Sequence, residues 1–180
     1  MKALVYEGPW QMPIRDIEPP QAGLGEVVVA VQAVGVCGSD VHGYTGSTGR
    51  RIPPMVMGHE FSGTVSAVGE GVTRHKAGDR VVVQPLITCG ICENCRAGMP
   101  HICINRRGLG MGNVNGAYAE AVGVPESLLY DLPPEVSFQH GAMVEPLSVA
   151  MHAVNLTPIT LMDTVVILGA GTIGLLTLLS

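Results

Sequence analysis

Four of the chain's five cysteines fall within 15 of its 180 residues, as Cys89-x2-Cys92-x2-Cys95-x7-Cys103. Thiolates spaced this closely on one loop can converge on a single tetrahedral metal, with Zn–S bonds of about 2.3 Å. Gly90 and Gly98 ease the tight backbone path that such convergence needs. Four sulfur ligands leave no open coordination position, so the expected site closes a loop and does no chemistry. A disulfide is disfavoured where thiols are kept reduced. An iron–sulfur cluster shares the two x2 spacings, but ferredoxins continue with x3 and Cys-Pro. Here the last gap is x7 and the dipeptide is Cys-Ile, so zinc is the expected ion.

The N-terminus, "MKALVYEGPWQMP", does not read as a signal peptide, because Glu7 and Pro9 interrupt its short apolar run. A cytoplasmic location is therefore expected. The net charge is -5 with only 10 Lys and Arg, and aromatics make up 4%, so no nucleic-acid partner is expected. Thr164 to Ser180 is a 17-residue stretch without charge. It is shorter than the roughly 20 residues a spanning helix needs, and it carries patterned glycines, so no membrane partner is expected either.

Gly (24) and Pro (13) are abundant and punctuate short β-branched runs. "KALVYE", "GEVVVAVQAVGV", "FSGTVSAVGEGV", "GDRVVVQP" and "GAYAEAVGVP" read as strands of a mainly β barrel or sandwich. The long loops, Gly38 to Met55 and Leu86 to Asn115, are where a rigid scaffold places its sites. After Pro134 the pattern turns helical. Ser137 reads as an N-cap for a short turn near 138–143, and a helix is expected from about 146 to 154. Pro146 should exclude Glu145 from it, because a residue before proline disfavours helical backbone. "DTVVILG" reads as a buried parallel strand leading into Gly169-x-Gly171-x-x-Gly174.

The fifth cysteine, Cys37 in "GVCGSDVHGY", has distant companions: His59 and Glu60 in "GHEFSG", and Glu145 in "VEPLSVA". Singly, these read as a structural thiol, a core histidine and a helix cap. Together, one Cys, one His and one carboxylate make a three-ligand set with a fourth zinc position open, the arrangement of a catalytic site. On an extended strand the adjacent His59 and Glu60 would face opposite ways. Glu145 is therefore the first choice for third ligand, with Glu60 as alternative ligand or supporting partner.

These segments resemble the zinc-dependent medium-chain alcohol and polyol dehydrogenases. "GVCGSDVH", "GHEFSGTVSAVGEGV", "AGDRV", "CGICENCRAGMPHIC", "GAYAEAVGVP", "EPLSVA" and "VVILGAGTIGLL" occur in that family's order. Glu145, where primary-alcohol members usually carry Cys, resembles the sorbitol dehydrogenase-like branch. The resemblance implies a GroES-like catalytic domain over 1–155 and the first strand and helix start of a truncated Rossmann domain over 156–180. It implies a catalytic zinc on Cys37, His59 and Glu145 or Glu60, and a structural zinc on the four later cysteines. Ser39 and His42 match proton-relay positions, and Tyr44 is a weaker match to a substrate-pocket position. Gly169, Gly171, Thr172, Ile173 and Gly174 would hold the pyrophosphate of NAD or NADP. The implied reaction moves hydride between a small alcohol or polyol and the nicotinamide, with zinc as Lewis acid on the alcohol oxygen. Family members are much longer, so this chain is expected to be an N-terminal piece, inactive alone. Apolar surface at Val165–Leu168 and Ile173–Leu179 would then lack its cover and favour a homo-oligomer. Arg50 or Arg51 is a lesser candidate for contact with a sugar phosphate.

Overall fold

Val27, Val28 and Val29 follow a turn at Gly25, and all three side chains are buried. A strand covered on both faces needs a sheet core on one side and a helix on the other, and that is how the chain is built. The computed structural model describes residues 1–180. It opens with β1 (Lys2–Tyr6), β2 (Ile14–Asp16), β3 (Glu26–Val34) and the short helix α1 (Gly38–Tyr44). Next come β4 (Met55–Val56), β5 (Phe61–Val68), β6 (Arg80–Val83), β7 (Leu86–Ile87), α2 (Glu93–Arg96) and β8 (Arg107–Gly108). The chain continues with β9 (Ala121–Pro125), β10 (Leu129–Asp131), α3 (Phe138–Ala142), α4 (Val144–Leu156) and α5 (Thr172–Leu179).

The main sheet is antiparallel throughout, in the order β10-β6-β5-β3-β9. A three-stranded sheet, β2-β1-β4, lies beside it, and β7 pairs with β8. Val27 and Val29 meet Phe61, Val65, Val81, Val83, Val122 and Val124 in the principal core. Burying each such aliphatic side chain contributes about 1.5–3 kcal/mol. A second cluster of Ala3, Tyr6, Met55, Val56, Met57 and Tyr118 sits under the smaller sheet. Leu4 N donates to Tyr118 O across 2.8 Å, which ties that sheet to the strand leading into β9. The mainly β architecture is the one the turn-punctuated strands imply, and the GroES-like form is what the family resemblance implies.

The other face of β3 is covered by α3, which also packs on β5. Ser137 caps α3 by accepting from His140 N, and Ser62 Oγ donates to Phe138 O at 2.6 Å. The helix after it begins earlier than its proline suggests. Glu145 lies in the first turn of α4, and Pro146 follows within that turn and is buried. A proline there removes only an N–H that has no helical acceptor, so the helix tolerates it. The expected parallel strand at "DTVVILG" forms no ladder: no strand pairs with Asp163–Gly169. Val166 and Leu168 are 76% and 94% exposed.

Glu126 anchors the loop between β5 and β6. Its carboxylate accepts backbone N–H groups from Thr73, Arg74 and His75, and faces His75 Nδ1 at 3.4 Å. Burial works to raise this carboxyl, but the three backbone donors and His75 outweigh it and hold it below the usual range. Its contribution to stability is thus present above the unfolded carboxylate pKa of about 4.3 and is lost as pH falls through the lower folded value. Glu126→Gln should lower the melting temperature at pH 7. That deficit against wild type should shrink as pH falls below about 4. A deficit that stays constant down to pH 2 would contradict this account.

Candidate metal centres

The four-cysteine run folds as a knot of short turns. Cys89 follows β7, Cys92 caps α2, Cys95 lies within α2, and Cys103 ends a 3₁₀ turn over Pro100–Ile102. All four sulfurs lie within 4.8 Å of one another. Cys89 and Cys103 are 3.5 Å apart and Cys92 and Cys103 3.9 Å, with no disulfide. Sulfurs on a tetrahedral zinc stand about 3.8 Å apart, so the spacing fits that ion. The protonation pattern fits as well. N–H groups of Ile91 and Cys92 pull the Cys89 thiol down to about 6, whereas burial and the neighbouring sulfurs push Cys95 up to about 12. A cation bound among these sulfurs would offset the burial and crowding that raise Cys95.

The second centre is built on a helix cap. Cys37 precedes α1, and its Sγ accepts from Ser39 N at 3.4 Å. Asp40, in the helix's first turn, returns the bond by accepting from Cys37 N at 3.3 Å. This Cys-x-x-Asp is a capping box with sulfur in place of the usual hydroxyl. His59 and Glu60 do not lie on a strand. Gly58, at φ +92°, turns the chain immediately before them, and a side chain at 58 would strike the Tyr118 ring. The turn swings both side chains to one side. Ligand atoms of Cys37, His59 and Glu60 lie within 4.8 Å of one another. Glu60 is packed against Gly35, whose N–H donates to Glu60 O at 2.7 Å. Glu145 stands outside this compact set, although it is near enough for its charge to act on His59. The geometry thus gathers Glu60, the second choice from sequence, more closely than Glu145.

Sequence reasoning passed over Asp40, which is 2% exposed. It accepts from Tyr118 Oη at 2.9 Å and from Arg51 Nη2 at 3.0 Å, and lies 3.5 Å from His59 Nδ1. Burial works to raise its carboxyl. His59, Arg51 and Tyr118 outweigh that and hold it below the ordinary range. For His59, burial works downward, and Asp40 with Glu145 and Glu60 overcomes it, so the ring is raised. Burial raises Glu145, and the Glu60 and Asp40 charges add to the rise against His59. These carboxylates crowd a small volume, and His59 Nδ1 is buried with Asp40 Oδ1 3.5 Å away but no hydrogen bond. Such a donor set suits a divalent cation, with Asp40 facing one ring nitrogen and the other left to ligate. The capping-box spacing from Cys37 to Asp40 is the sequence signal that would have found it.

Ser39 and His42 lie on α1 one turn apart, both exposed. Ser39 Oγ accepts from Arg51 Nη2 at 3.4 Å. Arg51 itself is buried and paired with Asp40, which removes it from contact with a sugar phosphate; Arg50 is exposed. Tyr44 donates to Trp10 O at 3.1 Å and borders a cavity of about 340 Å³ with Val36, Val41 and Met57. A larger cavity, about 450 Å³, is walled by Gln84, His101, Tyr130, Glu145, Ser148 and His152, so Glu145 joins it to the metal-ligand region. Gly169, at φ +107°, begins the glycine turn, and Gly171 caps α5, whose first residues are Thr172 and Ile173. A side chain at Gly174 would strike the Gly169 carbonyl, so the turn closes tightly onto the helix.

The family model for the alcohol dehydrogenase GroES-like domain matches residues 23–134. The chain belongs to that family. As a GroES-like domain protein of the alcohol dehydrogenases, it is 36% identical to sorbitol dehydrogenase of Bacillus subtilis over 98% of its length. Among solved structures it is similar to the alcohol dehydrogenase RspB of Escherichia coli CFT073 in complex with NADH, with 39% identity over 98% of the chain and a TM-score of 0.91. A thermostable alcohol dehydrogenase of Pyrobaculum aerophilum with bound cobalt and zinc is 27% identical over 98% of the chain, with a TM-score of 0.91. The GroES-like chain covers 51%, 51% and 55% of these three, so it spans about half their length.

The two centres separate by substitution. Cys103→Ser should remove one zinc per chain and lower the melting temperature, and Cys37→Ser should remove only the other zinc. Mass spectrometry under native conditions reads both. At the second centre Glu60→Gln should weaken metal binding about 10- to 100-fold, and Glu145→Gln should weaken it less. The reverse order would restore Glu145 as third ligand.

Proposed function

We propose that this chain is the zinc-binding N-terminal portion of a dehydrogenase that moves hydride between a polyol or secondary alcohol and NAD or NADP. One observation carries the reading: a compact Cys37, His59 and Glu60 set with only three ligands stands beside a separate, closed set of four cysteines. Zinc held by Cys37, His59 and Glu60, with Glu145 as the alternative carboxylate, would supply a Lewis acid for the alcohol oxygen. Zinc on Cys89, Cys92, Cys95 and Cys103 would only brace its loop. The sorbitol dehydrogenase relative supports the substrate class, and the NADH complex of RspB supports the cofactor class.

The remaining roles fall to side chains beside the centre. Oxidation of a secondary alcohol removes a hydride from carbon and a proton from oxygen. Ser39 sits two residues from Cys37, and its hydroxyl accepts the oxygen's proton while releasing its own. His42, exposed one turn along α1, passes that proton to solvent. The Gly169–Gly174 turn and the N–H groups opening α5 receive the pyrophosphate. The proposed division places catalytic residues in 1–155 and the opening of the nucleotide-binding unit in 156–180.

The test is turnover. A longer reading frame carrying this chain should oxidise members of a polyol and secondary-alcohol panel with NAD or NADP. The 180-residue chain alone should bind up to two zinc ions and show none. Turnover by the chain alone would sink the idea that it is a portion. A longer protein with both zincs and no turnover on any alcohol would favour a zinc-binding module without catalysis.

Self-association follows from the same reading. Leu161, Met162, Leu168, Leu178 and Leu179 are each at least 72% exposed. The isolated chain should form dimers or larger species in sedimentation, and Leu168→Glu with Leu178→Glu should shift it toward monomer. A strictly monomeric wild type at high concentration is the contrary result.

A further inference from the structure

Arg51 is the one permanently charged cation buried at the three-ligand centre, with 4% of its side chain exposed. Its backbone is pinned from outside that centre. Arg51 forms a parallel bridge with Gly112, flanked by hydrogen bonds from Ile52 N to Gly112 O at 3.0 Å and from Gly112 N to Arg50 O at 3.1 Å. From that anchor the side chain reaches α1, where Nη2 meets Asp40 Oδ1 at 3.0 Å and Ser39 Oγ at 3.4 Å. The helix leaves room for it. A side chain at Gly43 would stand 2.7 Å from Arg51 Cγ and 3.2 Å from Nε.

We propose that Arg51 is a positioning residue of the metal centre, clamping Ser39 and Asp40 with one guanidinium nitrogen and, through Asp40, the Cys37 backbone and the His59 ring. The proposal rests on reading Cys37, His59 and Glu60 as a metal site. A carboxylate as buried as Asp40 stays in place only while its charge is matched. Tyr118 and Cys37 N supply hydrogen bonds to it, but Arg51 supplies the fixed charge. Without Arg51, Asp40 shifts toward solvent or another partner and releases both Cys37 N and the face of His59. Ser39 loses its one side-chain donor at the same time, so the proposed proton acceptor and the ligand set loosen together. Arg suits this position because it is always charged and its planar group directs N–H donors at fixed angles.

The test titrates Co²⁺ into the 180-residue chain with zinc already in the four-cysteine site, following the thiolate-to-cobalt absorption band that Cys37 alone can give. Arg51→Gln should weaken Co²⁺ binding about tenfold and alter the ligand-field bands. Arg51→Lys should recover most of that loss, because it keeps the charge beside Asp40. Gly43→Ala, which removes no polar group but crowds the guanidinium, should weaken binding in the same direction. Unchanged affinity and spectrum in Arg51→Gln would overturn the proposal. So would an Arg51→Lys variant no better than Arg51→Gln. If Arg51→Gln also loses the four-cysteine zinc it has unfolded, and Gly43→Ala then decides: unchanged binding overturns the clamp, and weakened binding with the four-cysteine zinc retained supports it. A wild-type chain with no thiolate-to-cobalt band refutes the metal site itself, which is a separate result.

Discussion

A buried carboxylate must be matched by donors and positive charge or it will not stay ionised. Asp40 meets that demand with groups from four separate segments: Cys37 N from the helix cap, Arg51 from the loop after α1, His59 from the turn before β5, and Tyr118 from the approach to β9. The segments of His59 and Tyr118 are already joined by backbone bonds from Ala117 N to Gly58 O and from Tyr118 N to Met57 O, both 2.9 Å. The carboxylate adds the helix cap and the Arg51 loop to that pair. Beside it a thiol, an imidazole and a second carboxylate lie within 4.8 Å of each other. The β scaffold supplies rigidity, and Asp40 supplies the register between its loops.

The two centres solve the problem of crowded anionic ligands differently. Around the four cysteines the sequence is local, and the sulfurs converge because successive tight turns leave them little else to do. Around Cys37 the ligands are far apart in sequence, so their meeting depends on the folded core. That difference suits the proposed tasks. A closed set needs only to brace, and a set with a position to spare must be held accurately by surrounding groups. The two regions also touch through α4. His152, on the helix that carries Glu145, lies edge-on to His101 of the cysteine loop, with ring centroids 5.3 Å apart.

The five longer strands, β1, β3, β5, β6 and β9, were legible because Gly and Pro mark their ends and β-branched residues fill them, whereas β2, β4, β7, β8 and β10, of two or three residues each, are too short to leave a pattern. The cysteine spacing was legible because the loop's geometry is nearly contained in it. Glu60 was ranked below Glu145 because the argument assumed extended backbone, and the positive φ of Gly58 removes that assumption. Glu145 was placed outside its helix because a proline follows, and first-turn geometry makes that proline harmless. In sequence Arg51 is indistinguishable from Arg50, and the two stood as one candidate for contact with a sugar phosphate. What distinguishes them is a bridge to Gly112, sixty-one positions away, which no local pattern announces. Asp40 was legible in part, since a Cys-x-x-Asp box can be recognised, but its three distant partners cannot.

The tail shows the same division between local and distant information. The glycine turn forms because its requirements are met within six residues: positive φ at Gly169, and no side chain at Gly174 to obstruct the Gly169 carbonyl. The helix that follows also has a partner, since α5 packs on α4 and buries Leu176. Val165 to Leu168 has the apolar composition of an interior strand, but a strand's hydrogen bonds come from neighbouring strands, and within residues 1–180 none lies beside it. Composition can mark a segment as an interior strand without supplying the ladder that makes it one. The turn therefore closes on local terms alone, whereas the crevice that the proposed dinucleotide would need requires strands on either side of it.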